Sequence, residues 1–497
     1  MGARRDDITS QQRAQIAIEV LSPHRPWGDV KRLAKEYKVE RKTLYDIATA
    51  GKRALEKALE PGPHGPQVRE KTILVNRNRL VRSSVVLTEV GVSQRDVVLC
   101  VQELLDSQVS DSWVQAELAK AERVAAGRNA AWAPTVAETL SGDEIYSNGN
   151  PNLLVVGNDS LYIYALTRQP TCDGDTWGSV LLEGPDCAQF ASDGGKGLAA
   201  GAKEAEVGAH QLDWDHLLRP LWGQTARLEK QAYAALDKVE QRVEKIDQTH
   251  TPKRLAQHWT AWEQLSVQAD EEIDRYDKFL GIARQVDDWF ALIDIESGHL
   301  RDPVVGAESL RNLGNQLKVW SGRIYKKLSD NLIHFAAALF AYHPVLAQAL
   351  SPLIEQWGEP AICTLSQIWQ IEADEKRRPL SLLERHNRQT LWEACLDKAV
   401  ALLGSEQLWH AWDALCSVLD RSWRGSMLAE CVNSLLRPVL DRRKHTDQGC
   451  LELFRFLHNV RSFERGKRAG HSPAQLAGLH IPDDPLTLLG LEPKVLI

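Results

Sequence analysis

The chain has 497 residues, with 60 Lys+Arg against 67 Asp+Glu, a net charge of −7 and a pI near 6.1. That length holds several cores, about three or four domains on the usual size prior. The charge sum does not announce a nucleic-acid binder, although it can hide local basic regions. The 8 cysteines are irregularly spaced with no C-x-x-C pair, which points to reduced thiols and argues against a disulfide scaffold or zinc knuckle. No run of about 18 apolar residues occurs and the first residues lack an apolar core, so no membrane span or secretory leader is expected. The expectation is a soluble, cytoplasmic protein. Sixteen Trp stand against 2 Met, and most of the Trp lie beyond Trp214, which hints at a separate helical region.

Thr9 to Leu21 reads as a short helix. Trp27 to Ile47 reads as two helices joined by a tight turn, the helix-turn-helix pattern. Leu33, Ala34 and Val39 would pack the turn, and Arg41, Lys42, Thr43 and Tyr45 would sit early on the second helix, within reach of a major groove. A helical hairpin with a solvated basic face is the plainer alternative; residues 1–60 carry 13 Lys+Arg against 9 Asp+Glu, which favours DNA. Pro61 to Pro66 is a linker by composition. Across 67–132 the basic run Asn76 to Arg82, with Arg77 and Arg79, precedes segments that Ser93 and Ser110 or Asp111 can cap. This is either a second helical DNA-binding domain or a helical spacer.

From Glu138 the texture changes. Glu138 to Tyr146, Leu153 to Gly157 and Ser160 to Leu166 read as three antiparallel strands, Thr176 to Glu183 as a helix, and Cys187 to Ser192 as a further strand ending at Asp193. This is an α/β layout, with Asp143 and Asp193 as the acids best placed to meet on adjacent strands. Asp159, Asp173 and Asp175 fall on turns, where acids are common. Glu144 should point to the opposite sheet face from Asp143. From Arg219 to Trp423 no strand pattern occurs. Leu255 to Leu265, Glu271 to Leu292, Leu310 to Leu328, Leu332 to Phe340 and Leu380 to Leu403 have helical spacing, with Trp259, Trp262, Trp289, Trp320, Trp357, Trp369, Trp392, Trp409 and Trp412 expected in the core. Beyond it, Ser426 to Arg437 is a helix on which Glu430, Asn433 and Arg437 share a face, and Pro438 should kink or end it. Arg437 to Gly470 holds 9 Lys+Arg against 4 Asp+Glu, including Arg442, Arg443 and Lys444. Residues after Pro482 read as a tail.

Gly142-Asp143-Glu144-Ile145, the hairpin after it, Ser192-Asp193-Gly194-Gly195-Lys196-Gly197, His210 to Leu217 and the Glu430 helix together resemble the catalytic core of bacterial insertion-sequence transposases of the DDE type. The resemblance spans roughly Glu138 to Arg219 and Trp423 to Gly478. It implies an RNase H-like α/β core with a mixed five-stranded sheet and flanking helices, interrupted by a large all-α insertion and preceded by an N-terminal helix-turn-helix region. The segments would be 1–60 and 67–132 for DNA binding, 133–219 for the first part of the core, 220–422 for the insertion, 423–480 for the second part, and 481–497 for the tail. Asp143, Asp193 and Glu430 would be the catalytic acids, holding two Mg²⁺ or Mn²⁺ ions about 4 Å apart, one at the attacking and one at the leaving oxygen. Asp143 would bridge them.

Asn433 and Arg437 could hold a DNA phosphate near the ions, with Arg442, Arg443 and Lys444 as further DNA contacts. Asp213-x2-His216 matches a Cys/Asp-x2-His motif of related transposases with helical insertions; it could fix the end of the fifth strand or touch DNA, or be a capping Asp with a satisfied His. Asp215 is the backup acid. Trp423 could stack on a flipped base or a hairpin end. The partners implied are the terminal inverted repeats and target DNA, with a homodimer or larger assembly on DNA, no membrane and a nucleoid-associated location. The function implied is transposition by strand cleavage and strand transfer. The alternatives are a transposase-derived, non-catalytic DNA-binding protein and an RNase H-like structure-selective nuclease.

Overall fold

The computed structural model describes residues 8–22, 26, 28–59, 75–377, 381–442 and 446–493. Its contacts divide the chain into two units, within Met1–Ile73 and Leu74–Leu496. In the first, α1 (Ser10–Leu21) starts at a capping box in which Thr9 and Gln12 satisfy each other's backbone N–H groups. It packs with α2 (Asp29–Glu36) and α3 (Arg41–Leu59) around Ile16, Leu33 and Leu44, each at most 1% exposed.

The second unit opens with α4 (Arg77–Glu89), α5 (Gln94–Leu105) and α6 (Asp111–Ala131), capped by Asn76, Ser93 and Ser110. Then come β1 (Leu140–Ser147) and β2 (Asn150–Gly157), joined by Asn148-Gly149, both at positive φ as a tight hairpin of right-handed strands requires. β3 (Ile163–Arg168), α7 (Gly174–Leu182), β4 (Gln189–Ser192), α8 (Lys196–Glu204) and β5 (Ala209–Leu212) complete a five-stranded sheet of order β3-β2-β1-β4-β5. β1, β2 and β3 are antiparallel neighbours, whereas β4 runs parallel to β1 and β5 parallel to β4, so the sheet is mixed. The β1/β2 register places Asp143 opposite Leu154 in the middle of the sheet.

A long helical region follows: α9 (Trp214–Asp247), α10 (Pro252–Asp288), α11 (Pro303–Leu317), α12 (Arg323–His334), α13 (His343–Trp357), α14 (Glu359–Arg377) and α15 (Leu382–Leu419). The chain then returns to the sheet as α16 (Met427–Arg442), α17 (Gln448–Val460) and the short α18 (Pro473–Leu476). One sheet face is covered by α7 and α8 around Trp177, Phe190 and Leu198; the other by α16 and α17 around Val432, Leu436 and Leu451. α17 also covers the edge strand β3, where Asn459 pairs with both backbone groups of Ile163. Helices α4 to α6 share a core with α17 and the C-terminal segment.

Several expectations change. Leu310 to Leu328 is two helices, because Gly322 takes φ 129° and interrupts the pattern. Leu255 to Leu265 and Glu271 to Leu292 lie largely in one helix, α10, ending at Asp288. Pro438 does not end α16: Val439 and Leu440, just beyond it, are buried, and that burial outweighs one lost backbone hydrogen bond. Trp259 and Trp409, expected in the core, are 48% and 64% exposed, while Trp289, Trp320, Trp357, Trp369, Trp392 and Trp412 do pack against it. The tail is not loose: Leu486 and Leu489 are buried and Asp484 pairs with Arg82. All 8 cysteines are free, and no single helix among the described residues is long and apolar enough to cross a membrane.

Two glycines test the packing from opposite directions. A Cβ on Gly201 would lie 2.4 Å from Trp177 Cβ and 2.6 Å from the Gly178 amide nitrogen, whereas one on Gly223, exposed within α9, meets nothing within 4 Å. Thermal unfolding is expected to show Gly201→Ala destabilised by about 1–3 kcal/mol and Gly223→Ala stabilised by about 0.5–1 kcal/mol. Equal midpoints for the two variants would contradict the tight α7–α8 packing.

Candidate active site

The sheet's order puts the C-terminal end of β4 beside β1, and α16 lies across β1 from one face. Asp143 points to the α16 side, where Asn433 Nδ2 donates to its Oδ2 at 2.7 Å. Its other oxygen accepts the Glu144 amide at 2.9 Å. Burial pushes the Asp143 carboxyl up to about 6; the hydrogen bonds from Asn433 and Glu144 oppose this, and the like charges of Asp193 and Glu430 add to it. The three acids expected from sequence are therefore close enough to act on one another, although they come from segments 50 and 237 residues apart, counted from Asp193 to Asp143 and to Glu430.

Asp193 is the first residue after β4 and is exposed. Its Oδ1 accepts the Gly195 amide at 2.8 Å, closing a turn in which Gly194 takes φ +79°. Glu430 stands in the first turn of α16, with its carboxylate 3.9 Å from His216 Nε2 and 3.8 Å from Arg219 Nη2.

Asp213, the residue after β5, is the joint between these parts. Its side chain is 1% exposed. Oδ1 accepts the Asp215 amide at 2.7 Å and so caps α9; Oδ2 accepts the Ser426 amide and hydroxyl, each at 2.9 Å, at the start of α16. His216 Nδ1 donates to the same Oδ2 at 3.2 Å. Burial works against the charged form, but the bonds from His216, Ser426 and Asp215 outweigh it and hold the Asp213 carboxyl below the ordinary range. The hydrogen bond to Asp213 raises the His216 pKa, burial opposes, and the charges of Asp213, Asp193 and Glu430 reinforce the rise. Asp213 thus caps a helix and orients His216 at once. Asp215, the backup acid, is engaged by Arg219.

Two residues take other places than sequence reasoning gave them. Asn433, expected on a DNA phosphate, is 5% exposed and spends its amide on Asp143. Glu144, mid-strand in β1, is not remote from the acids: the turn after β4 runs beside it, a Cβ on Gly195 would lie 4.0 Å from its Oε1, and Asp193 acts on its carboxyl. Burial, then Asp193 and Asp143, push the Glu144 carboxyl up to about 7. The adjacent pair of acids in β1 was the available signal. Trp423 donates from Nε1 to Asp159 at 3.1 Å and helps wall a cavity of about 730 Å³ beside the acids, with Asp213, Asp215, Arg219 and Trp222.

Arg41, Lys42 and Tyr45 are exposed on α3 and Thr43 is half-buried; they belong to the N-terminal unit. Arg77 is paired with Glu117 at 2.7 Å, and Arg79 is half-buried. Arg437 and Arg442 are exposed on α16. Arg443 and Lys444 lie outside the described residues.

Among the described residues, no three His, Cys, Asp or Glu side chains stand together as a ready set of metal ligands. The donor chemistry nevertheless suits a hard divalent cation that keeps several waters and takes few carboxylates. Two buried oxygens at the site, Glu144 Oε2 and Asn433 Oδ1, have no hydrogen-bond partner, and two carboxyls there are raised by burial and mutual repulsion.

A pH prediction follows from Glu144. Its folded-state pKa is raised from 4.5 to about 7, so the folded form is penalised increasingly as pH rises from the lower value through the upper one. Glu144→Gln is expected to melt above the wild type at pH 8, by on the order of 1 kcal/mol after allowance for its partial exposure. The difference should shrink toward pH 4.5. A lower melting temperature than wild type at pH 8 would contradict the assignment.

No protein-family model matches the sequence, and no curated protein shows significant similarity to it.

Proposed function

We propose that the chain is a DNA transposase of the DDE type, cutting DNA at the ends of a mobile element and joining the freed ends to a target. The observation that carries the reading is the approach of Asp193, just after β4, and Glu430, on α16, to Asp143 in the central strand β1, close enough for their charges to raise its carboxyl, in a mixed sheet of order β3-β2-β1-β4-β5 with β4 parallel to β1. That sheet is compatible with an RNase H-like core, in which acids from two adjacent strands and a later helix serve phosphoryl transfer. The three exposed groups Arg41, Lys42 and Tyr45 on α3 support DNA recognition by a helix-turn-helix in the N-terminal unit.

In this reading Asp143, Asp193 and Glu430 hold divalent cations, Mg²⁺ or Mn²⁺. When bound, the cations supply Lewis acidity at the attacking and leaving oxygens of the phosphodiester. Asn433 fixes the rotamer of Asp143, so the buried acid presents one oxygen in a set direction. Asp213 holds His216 with Nδ1 inward, leaving Nε2 turned toward Glu430; the same bond favours the protonated ring, the form that would donate from Nε2 to a phosphate oxygen or to the departing 3′ oxygen. Arg219, bound by Asp215, adds a positive charge 3.8 Å from the Glu430 carboxylate. The cavity beside Trp423 and Trp222 is large enough for one extruded base. Water attacks first, and the 3′-OH so released attacks target DNA afterwards. Two element ends must be held together, which calls for two or more copies on DNA.

The test uses labelled duplexes taken from either side of the coding sequence, incubated with full-length protein and Mg²⁺ or Mn²⁺. Wild type is expected to nick at a discrete position and to join the labelled end to a plasmid. Asp193→Asn is expected to lose at least about 100-fold in both steps while binding the duplex as tightly as wild type. Binding without nicking would leave a transposase-derived DNA-binding protein. Nicking without preference for the flanking DNA would favour a structure-selective nuclease.

A further inference from the structure

Between Glu308 and Glu355 the chain carries five Lys or Arg and a single acid, Asp330, within a protein of net charge −7. Four of those five cations fall within ten residues, Lys318, Arg323, Lys326 and Lys327, where α11 gives way to α12. Lys318, Arg323 and Lys326 wall a cavity of about 550 Å³ together with Trp320, Gly322 and Asp330. None of its lining residues is shared with the acid site or with the cavity beside Trp423.

Some cations elsewhere in this helical region are ion-paired: Lys278 with Asp274 at 2.5 Å, Arg377 with Asp287 and Arg388 with Asp374, each at 2.6 Å. Among the described residues, Lys318, Arg323, Lys326 and Lys327 have no such partner. All four are exposed. Four cations gathered beside one acid, Asp330, repel one another on balance, so an anion seated among them would relieve that repulsion. The wall beside them is rigid. Trp320 is held from within by Phe279 and Tyr325, with ring centroids 5.6 and 5.2 Å away, and Arg275 lies 6.0 Å from its ring. At the same corner α12 begins at Gly322 with no side chain capping its first turn, which leaves backbone donors for an anion beside the cations.

We propose that this corner grips the phosphate backbone of DNA, at a place distinct from the acid site. Several unpaired cations across one helical turn and the break before it match a chain of repeated single charges better than one compact anion. A fixed indole edge gives a sugar or base a surface to lie against. The identity of the polymer as DNA rests on the function proposed above; the preference for a phosphate chain rests on the corner alone.

The experiment measures binding of full-length protein to a fluorescent 30-base-pair duplex by anisotropy, from 50 to 200 mM NaCl. The variants are Lys318→Ala/Arg323→Ala/Lys326→Ala and the same triple change to Gln, whose melting temperatures show whether each is folded. At roughly 0.9 of a log unit of salt dependence per phosphate neutralised, both variants are expected to flatten the salt slope by about 2 to 3 and to weaken binding at least about 10-fold at 50 mM NaCl. The control is Lys253→Ala/Arg254→Ala, two exposed cations at the start of α10, which should leave the slope within one unit. An unchanged slope in folded triple variants overturns the proposal. So does an equal loss in the control, which would mean general electrostatics. Competition by inorganic phosphate or ATP at micromolar concentration, with the duplex slope unaltered, would assign the corner to a small anion and also overturn it. Because the readout is binding, the proposal survives if wild type fails to nick but the triple variants flatten the slope; it falls alone if nicking requires Asp193 and the slope does not change.

Discussion

The carboxylate of Asp213 is the interaction on which the site depends. One buried side chain closes the end of β5, caps α9, orients His216 and caps the first residues of α16, reaching Ser426 across 213 residues of sequence. A buried charge of this kind is tolerated only when hydrogen bonds surround it, and Asp213 accepts four. A Cβ on Gly425 would lie 2.8 Å from Asp213 Oδ1, so the approach of the 422–426 segment also needs a residue without a side chain. Because α16 starts from this cap, the direction of Glu430 is set by the same carboxylate that fixes the imidazole beside it. A change at Asp213 therefore moves two groups of the site, not one.

Charge within the site is unevenly balanced. Glu430 faces His216 and Arg219, and Asp213 is satisfied several times over, but Asp143 and Glu144 sit in β1 with burial and like charges raising both carboxyls. Packing alone would favour apolar residues at those two positions. A fold that keeps acids where they cost stability is typical of a functional site. Asn433 limits the cost for Asp143 by donating to it, at the expense of its own buried carbonyl oxygen, which has no partner. The apolar face of α16, Ala429, Val432 and Leu436, holds the helix against β1 and β2 strongly enough to carry that unsatisfied atom.

Much of the sheet was legible in the sequence because its strands are short apolar runs closed by turn residues with a mechanism: Asn148-Gly149 for the hairpin and Asp193-Gly194-Gly195 for the exit from β4. The helix caps Ser93 and Ser110 were legible for the same reason. The long helices were less so. Neither α9 nor α14 was read, since the outer half of α9 is largely exposed and offers little apolar periodicity, and the break at Gly322 hides inside a continuous helical spacing. The site divided along similar lines. Acids at strand ends and on a helix face can be listed from spacing, but whether an amide such as that of Asn433 turns toward solvent or toward Asp143 depends on how α16 rolls against the sheet. Strand alternation turns Glu144 away from Asp143, and alternation along one strand says nothing of the turn after β4, which runs beside β1 and brings Asp193 near Glu144.

The helical region between Asp213 and Ser426 does not strain this arrangement, for a geometric reason. Its two ends meet: the Trp214 amide, one residue after Asp213, donates at 3.1 Å to the carbonyl of Arg424, two residues before Ser426. The region has its own core, and it is fastened at its base by buried polar contacts. Gln211 donates to the Leu339 carbonyl and accepts the Tyr342 amide, each at 2.9 Å, and Trp214 Nε1 donates to Leu339 as well. Arg424 lies over the ring of Phe290 at 3.8 Å and bonds to that residue's carbonyl. Once such a base has closed, the entropy of a longer excursion grows only logarithmically with its length, while the excursion's own core stabilises it independently. The separation of Asp193 and Glu430 in sequence thus says little about the difficulty of bringing them together. What matters is the short splice from Ser422 to Ser426, because every degree of freedom between the helical region and the Glu430 helix has to pass through it.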